Sequence, residues 1–192
     1  MEFWFGKDLQ SVESIAERSA LWFAGGEAFD RQIRDRFGDL PNRARQGQFD
    51  SWRQDAYSAL ALVLILDQFP RNLYRDTAKC FSYDALAYEL AVSAVDSGFD
   101  RELGPLEATF LYLPFEHTES LEAQSRCVSL FRDLVERAPV TLRSQCDSFL
   151  DYAMRHQRVI ERFGRFPHRN ETLGRESTPE EIEFLKEPDS SF

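Results

Sequence analysis

Residues 57–69 read YSALALVLILDQF. From Ala59 to Leu66 every residue is apolar, so no polar stripe marks a solvent face, and the alternation of a half-buried strand is absent. In a soluble chain, a helix that is apolar all round belongs at the centre of the fold. No other segment carries a strand pattern, and the stretch therefore predicts an all-α domain built around one buried helix. Pro70 follows directly. Because the residue before a proline avoids the α region, this reading ends the helix at Phe69, with Asp67, Gln68, Arg71 and Asn72 clustered where the chain turns.

The flanking segments fit the same plan. Ser11 to Ala24 reads as a helix with Ile15, Leu21, Trp22 and Phe23 inward and Gly25-Gly26 closing it. Phe29, Ile33 and Phe37 recur every four residues among charges, an amphipathic helix stopped by Gly38, and Arg43 to Phe49 suits a short helical turn. Ser82 has the chemistry of an N-cap for a helix over Ser82 to Ser97. Gly104-Pro105 opens another, with proline at its first position, running to Pro114. Leu121 to Arg137 places Leu121, Val128, Phe131, Leu134 and Val135 on one face and breaks at Pro139. From a cap at Thr141, Leu142, Cys146, Phe149, Ala153, His156, Ile160 and Phe163 step by four and three, which puts His156 on the buried stripe. Gly164 ends that helix, and Thr178-Pro179-Glu180-Glu181 is a capping box that begins a short last one. About eight helices, no strand and short connections describe a single domain over residues 1–192, made of antiparallel helix pairs. The aromatic triplet Phe3 to Phe5 must also find cover.

The chain carries a net charge of -10, which argues against nucleic-acid and anionic-membrane partners, since both need a broad positive surface. The longest apolar run is far short of the roughly 20 residues that span a bilayer, and the opening MEFWFGKDLQ lacks the pattern of a signal peptide; a cytoplasmic protein is expected. Cys80, Cys127 and Cys146 have no CxxC spacing and read as buried free thiols.

Against this acidic background residues 155–178 form a cationic island. Six arginines run from Arg155 to Arg175, with His156 and His168, and Glu161, Glu171 and Glu176 cannot neutralise them all. The surplus needs either acids from elsewhere, such as Asp67, Asp84, Glu116 and Glu119, or a bound oxyanion. Two further stretches carry chemistry. The turn LDQFPRNLYR (66–75) holds Asp67, Arg71, Asn72 and Arg75, and PFEHTES (114–120) holds His117 between Glu116 and Glu119, the parts for general acid–base work. A metal site wants a third ligand at a suitable spacing, and no such pattern is present; no metal or cofactor is expected. FPRN at 69–72 echoes FPHRN at 166–170, two similar polar turns after long helices.

LDQFPRN (66–72), FSYDALA (81–87), YLPFEHTES (112–120) and HQRVIERFGRFPHRNETLGREST (156–178) followed by PEEIEFL resemble domain-of-unknown-function family 924, a bacterial family of uncharacterised proteins. The resemblance covers essentially the whole chain. It implies a fold like that of tetratricopeptide-repeat proteins, helix hairpins packed into a right-handed arch with a concave groove, and it implies no activity. Two functional expectations follow from the residues themselves. One is a binding protein whose groove takes a small anionic ligand or an acidic peptide end, gripped by Arg71, Asn72, Arg165, His168, Arg169, Asn170 and Arg175. The other is an enzyme with His117 or His156 as acid–base group, Glu119 or Asp67 as its partner, and the arginines as an oxyanion clamp. The plainer alternative is a set of polar locks that only tie terminal helices to the core.

Overall fold

A computed structural model describes residues 1–7, 12–188 and 190. The described residues form ten α-helices and no strand, with short 3-10 turns between them. In chain order the helices are α1 (Glu2–Phe5), α2 (Val12–Ala24), α3 (Gly26–Phe37), α4 (Leu40–Arg45), α5 (Ala56–Leu73), α6 (Asp84–Asp96), α7 (Pro105–Glu116), α8 (Leu121–Arg137), α9 (Val140–Phe163) and α10 (Pro179–Phe184). The all-helical expectation holds, and the helix count rises from about eight to ten. α1 is an addition, and α4 takes the place of the short turn expected over Arg43 to Phe49, starting three residues earlier and ending at Arg45; they are four and six residues long. That is too short for a periodic pattern to show. Ser11, the expected start of α2, lies outside the described residues.

The 57–69 stretch is the inner part of α5. Residues Leu62 to Pro70 are all buried, and α5 packs against α3, α4, α6 and α7. α7 is its buried companion, with Phe110, Leu111, Tyr112 and Phe115 sealed from solvent. α8 and α9 form a long hairpin laid on α7. The aromatic triplet finds its cover in α1: Trp4 and Phe5 are buried, and Trp22 Nε1 donates to the Trp4 carbonyl at 2.9 Å. All three cysteines are free and buried. No helix among the described residues is long and apolar enough to cross a membrane.

Several local expectations need correction. The central helix does not stop at Phe69 but continues through Pro70 to Leu73, where the Tyr74 N–H closes onto the Pro70 carbonyl at 2.9 Å. A proline inside a helix costs about 3 kcal/mol, so tertiary contacts of the last turn must outweigh it. α7 likewise runs through Pro114 to Glu116. Ser82 caps nothing: its hydroxyl turns back to the Lys79 carbonyl at 2.7 Å, because the turn Ala78–Phe81 runs straight into it. Thr141 is the second residue of α9 rather than its cap, since Pro139 holds the N-cap position. Phe23 and Leu121 are exposed. With Trp22 pointing inward, the 100° step of a helix carries Phe23 to the flank, where its ring leans on Phe110 and Phe149. The capping box at Thr178 and Glu181 forms as its spacing requires.

Candidate functional site

The last turn of α5 points two ways because the helix persists through Pro70. Asp67 and Arg71, four residues apart, share one face, and Arg71 Nη1 donates to the Asp67 carbonyl at 2.7 Å. Asn72 and Arg75 face away and grip Asp30 of α3 at 2.8 to 3.0 Å. Asn72 is thereby taken out of the candidate site. From the C-terminal end of α7 the PFEHTES loop brings His117 to Asp67, with Nδ1 of the imidazole 2.8 Å from Asp67 Oδ1. Gln68 Nε2 donates to the second oxygen of the same carboxylate at 2.6 Å. Gln124 of α8 fixes the loop from behind, its amide donating to the carbonyls of Phe115, Glu116 and Thr118.

The third stretch closes over this pair. After α9 ends at Gly164, in the left-handed region with φ 69°, residues 165–178 form a strap. Glu119 holds it, accepting from the Phe166 N–H at 2.7 Å and from Arg175 through both carboxylate oxygens at 2.7 and 3.0 Å. Arg165 is paired with Glu181 at 2.6 and 2.8 Å, and Asn170 joins Ser177, Glu181 and Arg175. Arg169 reaches inward to the His117 carbonyl at 3.0 Å, its guanidinium between the rings of Phe81 and Phe166 at 4.7 and 4.5 Å. His156, buried on α9, bonds the Tyr152 carbonyl through Nδ1 at 2.9 Å and meets Phe166 edge-on. The three stretches thus meet in space. Arg71, Arg165 and Arg175 have carboxylates of the chain in their forks, Arg71 with Asp84 at 3.0 and 3.1 Å.

A model of the family described as bacterial protein of unknown function (DUF924) matches residues 1–189. The chain belongs to this family. A solved structure, that of the protein of unknown function ATU0120 from Agrobacterium tumefaciens, is 41% identical, covers 86% of this chain and 88% of its own, and superposes with a TM-score of 0.77. No curated protein matches. Neither description names a ligand or a reaction, so the chemistry of this DUF924 site rests on its own geometry.

The electrostatics separate groups that look alike in the sequence. Burial alone would raise the Asp67 carboxyl, but Arg71 and then His117 hold it far below the usual carboxylate range. Glu116, also buried, has no such help: burial, then the charge of Asp67, pushes it up to about 8. Its Oε2 has no hydrogen-bond partner, and Oε1 lies 3.7 Å from His156 Nδ1, beyond bonding range. Burial, then Arg71, pulls His117 below its ordinary value, and burial takes His156 down to about 3 and His168 to about 4. Arg169 is only 6% exposed, and burial, then the nearby Arg71, lowers it to about 10. Its nearest carboxylate is Asp84 at 3.6 Å, already shared with Arg71, and its Nε has no partner. Among the described residues no group of three or more His, Cys, Asp or Glu side chains is placed to hold a metal ion.

Sequence reasoning missed Gln124, Phe81 and Glu181. Gln124 is a polar residue on the apolar stripe of α8, and that misfit was its one visible signal. Phe81 and Glu181 become partners of Arg169 and Arg165 only through the path of the strap.

Proposed function

We propose that the chain is an enzyme that moves protons on a small molecule bearing an anionic group. His117 is the general base, Asp67 the carboxylate that orients it, and Arg169 the cation that receives the negative end of the ligand. The observation that carries this reading is the 2.8 Å bond from His117 Nδ1 to a carboxylate with no exposed surface. With Nδ1–H donated to Asp67, Nε2 is the nitrogen that keeps its lone pair, and it has no hydrogen-bond partner among the described residues. The ring keeps 15% of its surface open. A histidine used as a plug would have both nitrogens bonded; a base needs one anchored and one free.

The anionic character of the ligand is inferred from Arg169. The other arginines of the site are satisfied by carboxylates of the chain, whereas Arg169 lacks a carboxylate of its own and keeps an unpaired Nε. His168 stands next to it, held neutral by burial. The helix-hairpin arch implied by the family resemblance belongs to the same proposal; the succession of neighbours α5–α6–α7–α8–α9 supports it.

A thermal-shift panel of inorganic phosphate, pyrophosphate and small carboxylates tests the anion site, and a turnover screen of phosphomonoesters and carboxylic esters tests the base. At least one anion should raise the melting temperature of the wild type by a few degrees and fail to do so in Arg169→Met. Turnover should fall roughly 10²- to 10⁴-fold in His117→Gln. If no anion protects the wild type and no compound is turned over, the reading fails. Protection by an anion that survives His117→Gln, without turnover in either protein, would favour the second reading, a binding protein, which the unpaired Arg169 Nε supports by itself.

A further inference from the structure

Glu116 precedes the proposed base in the chain, and nothing in the acid–base reading uses it. Its carboxyl is buried among groups of α5, α8 and α9. Asp67 of α5 faces it as a fixed negative charge, and His156 of α9 stands 3.7 Å from Oε1 with its own Nδ1 committed to Tyr152. From α8 come the Cys127 thiol, itself raised by burial and by Glu116, and Gln124, whose Nε2 donates to the backbone carbonyls of the loop and whose Oε1 has no partner. No arginine or lysine of the described residues lies within ion-pair distance of it, although Arg71 and Arg169 both serve acids a few residues away. A carboxyl so placed cannot balance a charge, and it is 5% exposed.

We propose that Glu116 is a positioning residue of this site: as a neutral carboxylic acid it adds no charge to that of Asp67, and on losing its proton to solvent it places a second negative charge there that favours the imidazolium. The pair Asp67 and Glu116 then divides the work. Asp67, bonded by His117, Gln68 and Arg71, carries the permanent charge that orients the ring. Glu116, with one oxygen unbonded, carries the removable proton. Burial and Arg71 make His117 a base near neutrality, and because like charges in a dry interior oppose joint ionisation, the proton on Glu116 leaves that balance undisturbed. The inference rests on the acid–base reading for the purpose of this arrangement, but its test needs no ligand.

That test is an NMR titration of the full-length protein, following the His117 ring nitrogens and Cε1, assigned by their loss in His117→Gln, with the Glu116 Cδ in parallel. In the wild type the His117 signals should show a second step near pH 8, coincident with ionisation of the Glu116 carboxyl. Glu116→Gln should abolish that step, and Glu116→Asp should restore one at a displaced pH. His117 signals that stay flat between pH 7 and 9 in the wild type would overturn the proposal, as would a step that persists in Glu116→Gln. Should Glu116→Gln fail to fold, the wild-type trace alone decides. Failure of every anion to protect the protein leaves this result untouched, so the two readings fail separately.

Discussion

Asp67 and Glu116 are buried carboxyl groups on neighbouring helices, held in opposite protonation states because one is bonded by His117 and Gln68 beside Arg71, while the other keeps an oxygen with no hydrogen-bond partner and has no arginine or lysine of the described residues within ion-pair distance. The difference makes opposite predictions. Glu116, with a folded value of about 8 against the ordinary 4.5, favours the folded state fully only below pH 4.5 and loses that contribution as the pH rises to 8. Each unit is worth about 1.4 kcal/mol, so Glu116→Gln should gain on the wild type by roughly 3 kcal/mol between pH 5 and pH 8 in urea denaturation. A constant gap over that range would mean that the carboxyl finds a partner or water in solution. Asp67 behaves in the contrary way. Asp67→Asn leaves Arg71 with one acid instead of two and deprives the His117 N–H of a charged acceptor, and it should cost about 3–5 kcal/mol near neutral pH. A loss under 1 kcal/mol would show the dyad to be weakly formed. A residue such as Glu116 that lowers stability at working pH marks a functional site more strongly than a satisfied pair does.

At the scale of elements, the strap of residues 165–178 is the piece that completes the site, and Glu119 is its fastening. Glu119→Ala removes the acceptor of the Phe166 N–H together with both bonds to Arg175. Because this pair is partly exposed, the expected loss is about 1–2 kcal/mol, accompanied by faster hydrogen exchange in the strap than in α5 or α7. The Glu119 carboxyl is held below its ordinary 4.5, Arg175 and the Phe166 N–H outweighing the cost of burial, so this stabilisation is complete above pH 4.5 and fades as the pH falls below it. Unchanged exchange in the strap would show that Arg165 and Asn170 hold it without Glu119. The elements themselves were largely legible, because α3, α5, α8 and α9 are long enough to display their period. What was not legible came from competition between local and tertiary forces. The rule that stops a helix before proline is local, and it lost at Pro70 to the bonds of Asp67, Arg71 and Asn72. The meeting of 66–75, 116–119 and 165–175 could be anticipated from surplus charge, since cations on one stretch and acids on others must cancel somewhere. The pairings could not, because the sequence does not say which face of the turn Asn72 takes or that Glu181 returns to Arg165.

For the whole molecule, the buried titratable groups set a pH optimum that no single site would give. Below pH 6.5 the unfolded chain takes up protons on His156 and His168 that the folded chain refuses, their folded values lying near 3 and 4. A depressed value means stability that is present above 6.5 and is lost as the pH falls, about 2.7 kcal/mol per unit for the two rings together. Glu116 returns about 1.4 kcal/mol per unit over the same range, down to pH 4.5, so the acid side should still fall by roughly 1 kcal/mol per unit or more, with His117 adding to the loss. Above 6.5 the histidines are neutral in both states, and Glu116 alone lowers stability, by about 1.4 kcal/mol per unit, until pH 8. Urea denaturation at pH 5, 6.5 and 8 should therefore show a maximum near 6.5 in the wild type. In Glu116→Gln the alkaline limb should flatten while the acid limb steepens, since the compensating carboxyl is gone. Equal stability of the wild type at pH 5 and 6.5 would mean that His156 and His168 accept protons in the folded state. The strap would then have to admit water to their rings, and the enclosed geometry around Phe166 and Arg169 would not describe the protein in solution.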